Sequence, residues 1–339
     1  MNNLVFQEDR PLDLIAVGRL AVDLNANEIH RPMEETNTFT KYLGGSPANI
    51  SVAVSRLGLK AGFIGRVADD PLGRFILQYL GDNNIDASHV VVDKSGAKTG
   101  LAFTEIKSPT DCSILMYRSD AVDLKLEVTD VKEEYIKRAK AVLISGTALA
   151  ASPSREAVFA VLELARKHNT VVFFDIDYRP YTWKSVEETA IYYSLAAEKC
   201  DVIIGTREEF DMLEMFSNPG NTNDGVTAKK WFDFNAKIMV IKHGKKGSFA
   251  YTLEGDQYTG AVFPVIPVKT FGAGDSYAGG FIYGLMQGYD PGKAMEIGAA
   301  SASIVVSSHS CSDAMPGIDK IERFIEQYDG EKAYDVEQI

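Results

Sequence analysis

Lys269-Thr270-Phe271-Gly272-Ala273-Gly274-Asp275-Ser276 lies between an apolar run, Val262 to Val268, and a helical pattern of Tyr277, Phe281, Ile282 and Leu285 that stops at Gly288. Small residues at a helix start let backbone N–H groups approach an anion, and the helix dipole favours negative charge there. An aspartate in that first turn is electrostatically welcome, yet it would repel an anion that was merely held. The combination makes chemical sense if Asp275 takes a proton from a hydroxyl while the amides hold a phosphoryl group in transfer. A tight turn capped by an acid is the plain alternative, and this segment alone does not separate the two.

A second glycine-rich helix start lies far upstream, at Leu43-Gly44-Gly45-Ser46-Pro47-Ala48-Asn49. Pro47 suits the first helical position, and Ile50, Val54 and Leu57 make one apolar stripe before Gly58 ends the helix. Asn49 falls in the first turn, where its amide can donate to and accept from a polyol. A solvated first-turn asparagine is the alternative.

The 339 residues are 45% apolar and 24% charged, ordinary for a globular chain that can bury a full core. A formal net charge of -12 argues against nucleic acid or an anionic membrane as partner. It leaves room for an anionic substrate, since a few local cations can dominate a pocket. No apolar run approaches the roughly 20 residues that span a bilayer. Met1 to Pro11 lacks the basic-then-apolar layout of a signal peptide. Cys112, Cys200 and Cys311 are far apart, which reads as reduced thiols of a cytoplasmic protein. No P-loop segment occurs, and Val17 to Val22 lacks the glycine turn of a nicotinamide dehydrogenase.

Short apolar runs alternate with helical patterns along the chain. Leu14–Gly18, Ala61–Val67, Ala141–Ser145, Val171–Asp175, Val202–Gly205 and Ile238–Lys242 read as strands. Pro153 to His168 reads as a helix with Ser152 as its N-cap. Unbroken apolar strands between helices indicate a parallel sheet buried on both faces. No linker interrupts the alternation, so residues 1–339 are expected to form one α/β domain. Residues 23–42 and 99–118 break the pattern; Ala102–Ile106 and Ser113–Tyr117 read as a β-hairpin, and the two segments together as a small sheet.

Taken as a pair, Gly44-Gly45 with Ala48-Asn49 and Gly272-Ala273-Gly274-Asp275 make the chain resemble the ribokinase-like sugar kinases, from Asp13 to about Ile325. Intermediate landmarks fall in order: Val17-Gly18 with Asp23, Gly65-Arg66-Val67 with Asp69-Asp70, Asp177 to Pro180, Thr206 to Glu209, and His243-Gly244 with Gly247. The resemblance implies a central, mostly parallel sheet flanked by helices in three layers. It also implies that residues 23–42 and 99–118 form a β-sheet lid over the sugar site, which in this family often doubles as a dimer interface. A lid would keep water from competing for the phosphoryl group.

The same resemblance implies the chemistry. Asp275 is the expected catalytic base, with Gly272, Ala273 and Gly274 presenting amides to the phosphoryl oxygens of ATP. Magnesium is expected with the nucleotide, and Glu209 matches the family acid that acts near it, through water. Thr206 replaces the usual asparagine of that element. Thr206, Lys242, Gly244, Gly247 and Ala299 match nucleotide-binding positions, and Ala299 to Ser312 would wall the adenine. Asp23, Gly45 and Asn49 match positions that bind sugar hydroxyls. Tyr117, Arg118 and Arg179 are expected to set substrate identity, the two arginines gripping a carboxylate; Arg19 is a weaker third candidate.

Segments around these landmarks, Cys112 to Leu124 and Ser145 to Val158 among them, narrow the implied acceptor to 5-dehydro-2-deoxy-D-gluconate of myo-inositol breakdown. The same-class alternative is 2-keto-3-deoxygluconate; a sugar sensor that kept the fold would be expected to lose Asp275 or its glycines. Lys269 departs from the family, which more often has an aspartate there that helps bind a monovalent cation. An ammonium would repel such a cation or replace its charge, unless the side chain points to solvent.

Overall fold

The computed structural model describes residues 4–108, 111–260, 262–328 and 334–338. Among the described residues fourteen strands are formed: β1 (Leu12–Val17), β2 (Ala21–Ala26), β3 (Phe39–Gly44), β4 (Ala61–Ala68), β5 (Asp86–Asp93), β6 (Gly100–Ser108), β7 (Asp111–Tyr117), β8 (Ala139–Ser145), β9 (Val171–Asp175), β10 (Val202–Thr206), β11 (Ile238–Lys242), β12 (Ser248–Thr252), β13 (Asp256–Gly260) and β14 (Tyr334–Gln338). The helices are α1 (Ser46–Arg56), α2 (Pro71–Asp82), α3 (Glu133–Ile136), α4 (Ser154–Lys167), α5 (Val186–Ala197), α6 (Arg207–Leu213), α7 (Asp224–Phe232), α8 (Ala273–Met286), α9 (Pro291–Val306) and α10 (Ile318–Glu326).

Ten strands make one sheet in the order β14-β13-β12-β11-β10-β9-β8-β1-β4-β5. Pairing is parallel from β11 through β5 and antiparallel from β11 to β14. Successive strand residues point to opposite faces, and here both faces are dry. Leu14, Ala16, Leu143 and Phe173 pack under α1, α8 and α9, whereas Ile15, Val17, Ile144 and Phe174 pack under α4, α5 and α7. Strands buried on both sides cannot alternate with polar residues, which is why they read as unbroken apolar runs.

Chain order reverses at β1. The chain runs outward to β4 and β5, then returns to β8 on the other side. In such sheets a crevice opens beyond the strand C-termini at the reversal. The second sheet, β3-β2-β6-β7, stands over this edge. Its β6–β7 hairpin pairs Ala102 with Met116 and Ile106 with Cys112.

Helix α8 is fixed by close packing on α9. A Cβ on Gly280 would lie 2.9 Å from the Gly298 Cα, and one on Gly284 would lie 2.6 Å from the Ala294 Cα. At α4, Pro153 is the N-cap rather than the first helical residue. Ser152, expected as cap, instead donates its hydroxyl to Glu156 Oε1 at 2.6 Å, so a side-chain bond replaces the backbone cap.

Candidate active site

Helix α8 begins without a side-chain cap. Its N-cap, Gly272, is left-handed at φ 78, and a Cβ there would meet Cys311 Sγ at 2.8 Å. Only glycine satisfies both demands, and the first-turn amides are left for an outside acceptor. Two ammonium groups converge on this turn. Lys242, at the end of β11, puts Nζ 3.5 Å from where a Gly274 Cβ would stand. Lys269 is fully buried, donating to the Phe271 carbonyl at 2.7 Å and reaching Cys311 Sγ at 3.5 Å. The possibility that Lys269 points to solvent is thereby excluded.

The start of α1 faces the start of α8. Asn49 Nδ2 donates to Asp275 Oδ2 at 2.7 Å, and Ser46 donates to Asp175 Oδ2 at 2.6 Å. The Gly44-Gly45 pair has two distinct reasons. A Cβ on Gly44 would fall 2.0 Å from Asp23 Oδ1; Gly45 is at φ 106 and a Cβ there would fall 2.4 Å from the Arg19 carbonyl oxygen.

These acids share a cavity of about 500 Å³ whose wall includes Asp23, Asp175, Asp177, Asp275 and Glu209. Desolvation and repulsion from neighbouring acids raise the proton affinity of Asp23, Asp175 and Asp275. Asp275 is raised above the ordinary carboxylate value, first by burial and then by Asp177, against the pull of Asn49, Arg179 and Ser46. Asp23 is pushed up to about 7 by burial, with Arg19 as the main opposing charge. Asp175 is pushed up to about 7 by burial, opposed by Lys242. A carboxylate of raised basicity accepts a proton more readily than a surface aspartate.

Asp177 and Asp175 are site residues that sequence reasoning missed. Asp177 adopts φ 39, uncommon for a residue with a side chain. Its Oδ1 pairs with Arg179 Nη2 at 2.6 Å, and this charge raises the guanidinium pKa. Arg179 reaches the cavity wall, as do Asp23, Gly45, Asn49, Thr206, Lys242 and Glu209.

Arg118 and Tyr117 do not reach it. Alternation along β7 turns Ile114 and Met116 inward and leaves Tyr117 60% exposed on the outer face. Arg118 is buried in a structural knot, with Nε and Nη2 donating to Asp123 Oδ2 at 3.0 and 2.5 Å and Nη2 to the Thr147 carbonyl at 2.9 Å. The expected clamp of Arg118 with Arg179 is therefore corrected: one of its arms is spent inside the fold.

Three expected nucleotide residues also stand away from the cavity wall. Gly244 and Gly247 turn the chain after β11, at φ 58 and 92, and Ala299 is buried within α9. From the Ala299 to Ser312 region, Cys311 is the residue that lines the cavity. Its loop is tied to the small sheet, for His309 bonds the Ala26 carbonyl through Nε2 at 2.7 Å, and Asn25 donates to the His309 carbonyl at 2.9 Å.

A nucleotide triphosphate fits the uncapped amides beside Lys242. Glu209 is held in a capping box with Thr206. One oxygen accepts from Thr206 N at 2.7 Å and the other from Tyr178 N at 2.9 Å, which leaves each oxygen a second lone pair. Among the described residues no group of three acids, histidines or cysteines could cage a metal ion. Magnesium would thus sit mainly on phosphate and water, as it commonly does with nucleotides.

Comparison with known proteins agrees with this geometry. Residues 12–318 match the model of the pfkB family of carbohydrate kinases. The chain is 71% identical over 326 residues to 5-dehydro-2-deoxygluconokinase of Geobacillus thermodenitrificans (strain NG80-2), covering 96% of each chain. It is 70% identical over 328 residues to the protein of the same name from Geobacillus kaustophilus (strain HTA426), covering 97% of this chain and 98% of the other. In fold it matches a putative ribokinase II from E. coli, solved in complex with ATP and Mg2+, with a TM-score of 0.84 at 23% identity over 93% of this chain and 99% of that one.

Proposed function

The chain belongs to the pfkB family of carbohydrate kinases, and we propose that it phosphorylates 5-dehydro-2-deoxy-D-gluconate in myo-inositol degradation. As a sugar kinase it is a phosphotransferase with an alcohol group as acceptor. In the proposed reaction the carbon-6 hydroxyl attacks the γ-phosphorus of ATP. The new O–P bond forms as the bond to the β-phosphate oxygen breaks, and the products are the 6-phosphate and ADP.

The observation that carries this reading is Asp275, a basic carboxylate in the first turn of an uncapped helix. Asp275 accepts the hydroxyl proton, and Asn49 holds its carboxylate in place. The amides of Gly272, Ala273 and Gly274 receive the phosphoryl oxygens, with Lys242 supplying positive charge at their side. Such preorganised donors stabilise charge where it develops. Asp23 takes sugar hydroxyls, and Arg179, held by Asp177, lies beside the reacting end. Magnesium bound with the nucleotide supplies further neutralisation of the triphosphate.

Lys269 supplies, in this reading, the fixed charge behind the turn that a monovalent cation would otherwise give. The four-stranded sheet acts as the lid. Its outer face, where Phe39, Phe103 and Tyr117 meet edge to face, is the surface through which two copies would pair. No helix among the described residues is long and apolar enough to cross a membrane, and the proposed location is the cytoplasm. A coupled ADP-release assay over a panel of sugar acids and neutral sugars tests the assignment. Transfer to 2-keto-3-deoxygluconate in preference to 5-dehydro-2-deoxygluconate would replace the acceptor named here.

A further inference from the structure

Arg19 has no counter-charge of its own. It follows Gly18 at the end of β1 and lines the cavity, yet it is only 7% exposed. Its Nε and Nη1 are buried and bond to nothing among the described residues. Asp23 feels its charge, but the two side chains do not meet as an ion pair, and Asp23 Oδ1 is itself buried without a partner. The other two arginines each have a counter-charge, Arg118 in Asp123 and Arg179 in Asp177, although Arg118 Nη1 also lacks a hydrogen-bond partner.

The position of the guanidinium sharpens the anomaly. Its Nε stands 3.5 Å from where a Gly45 Cβ would be, and Gly45 is the N-cap of α1, an eleven-residue helix with no side-chain cap. A helix N-terminus carries partial positive charge, so a cation beside it is unfavourable unless an anion lies between them. Burying a guanidinium without a partner is more unfavourable still. Both features are relieved by one ligand group, an anion in the cavity that the guanidinium lines, which supplies the missing counter-charge.

We propose that Arg19 binds the carboxylate of the sugar-acid acceptor, and so, in place of Arg118, sets the preference for an acid over a neutral sugar. The inference rests on the acceptor class proposed above. The acceptor then spans the cavity with its reacting hydroxyl at Asp275 and its carboxylate at Arg19, beside the start of α1. The planar fork of arginine suits a carboxylate in a way that lysine does not.

The test compares kcat/KM for 5-dehydro-2-deoxygluconate with that for fructose in wild type, Arg19→Gln, Arg19→Lys and Arg118→Gln. The expected result is that Arg19→Gln lowers the acid-to-neutral ratio by about tenfold or more, mainly through KM for the acid, and that Arg19→Lys restores part of it. Ligand-free melting temperature and ADP affinity report whether each variant folds. Removing an unpaired buried charge should leave the ligand-free Arg19→Gln protein at least as heat-stable as wild type. A wild type that prefers fructose overturns the acceptor assignment. A wild type that prefers the acid, with the ratio unchanged in Arg19→Gln, overturns the role of Arg19 and leaves the kinase assignment standing. A loss of the ratio in Arg118→Gln at full stability would return the role to Arg118.

Discussion

Asn49 and Asp275, 226 positions apart in the chain, are joined by a 2.7 Å hydrogen bond from the amide of one to the carboxylate of the other. Each belongs to the first turn of a helix, and both helices point their positive ends into one cavity. The bond orients the proposed base and also lowers its proton affinity.

Two variants separate these effects. Asp275→Asn should keep the fold and nucleotide binding while losing about a hundred- to ten-thousand-fold in kcat, the range of a positioned general base. Asn49→Ala removes a group that favours the charged form, so the Asp275 pKa should rise further. The base must be ionised to accept a proton. The acid limb of the kcat/KM profile should therefore move to higher pH in Asn49→Ala, and an unmoved limb would show that Asp275 is not the titrating group.

Gly274→Val should abolish turnover. A Cβ there would lie 3.5 Å from the ammonium of Lys242, so a branched side chain would enter the space proposed for the phosphoryl group. Melting temperature checks folding independently, and normal turnover in a folded variant would remove the anion site from this turn.

Lys269 leads to a prediction about salts. Its buried ammonium already donates to the Phe271 carbonyl, one residue before Gly272. Initial rates in potassium and in tetramethylammonium, at matched ionic strength, should agree closely. Activation of about tenfold or more by potassium, a change of about 1.4 kcal/mol in the barrier, would show that a separate cation site is required.

Asp175 makes ligand-free stability depend on pH. Asp175 is only 4% exposed and its pKa is raised from 3.8 to about 7. The folded state therefore holds this proton more tightly than the unfolded chain. That contribution is complete below the unfolded pKa and is lost as pH rises through the folded one. Asp175→Asn, whose amide oxygen can still accept from Ser46, should flatten the fall in stability between about pH 4 and 7 by an amount on the order of a few kcal/mol. Melting temperature across that range provides the measurement, and parallel curves for the two proteins would contradict it.

Much of this fold was legible because the buried strands are mostly apolar, with their few polar residues largely near the ends. Val171–Asp175 and Ile238–Lys242 begin and end where the apolar runs do. The two glycine-rich helix starts were equally legible, since steric demands leave a mark in composition. What the sequence hid is direction. In Ser113-Ile114-Leu115-Met116-Tyr117 three consecutive apolar residues conceal which alternate set faces the cavity, and the structure turns Tyr117 outward. Arg118 reads as a ligand-binding charge until Asp123, five residues on, is seen to hold it. Asp175 and Asp177 read as ordinary strand-end acids; their meaning arises only when β9, α1 and α8 meet. Arg19 is the converse case, a charge whose importance lies in the partner it lacks.

Phosphoryl transfer to the carbon-6 hydroxyl of a sugar acid can be measured from both of its products. ADP release would be followed with ATP and magnesium against 5-dehydro-2-deoxygluconate, 2-keto-3-deoxygluconate, fructose and ribose, with phosphorus NMR of the product. The highest kcat/KM is expected for 5-dehydro-2-deoxygluconate, with a phosphate ester on carbon 6 of the product. A neutral sugar as the best acceptor, or ADP release without an ester, would contradict it.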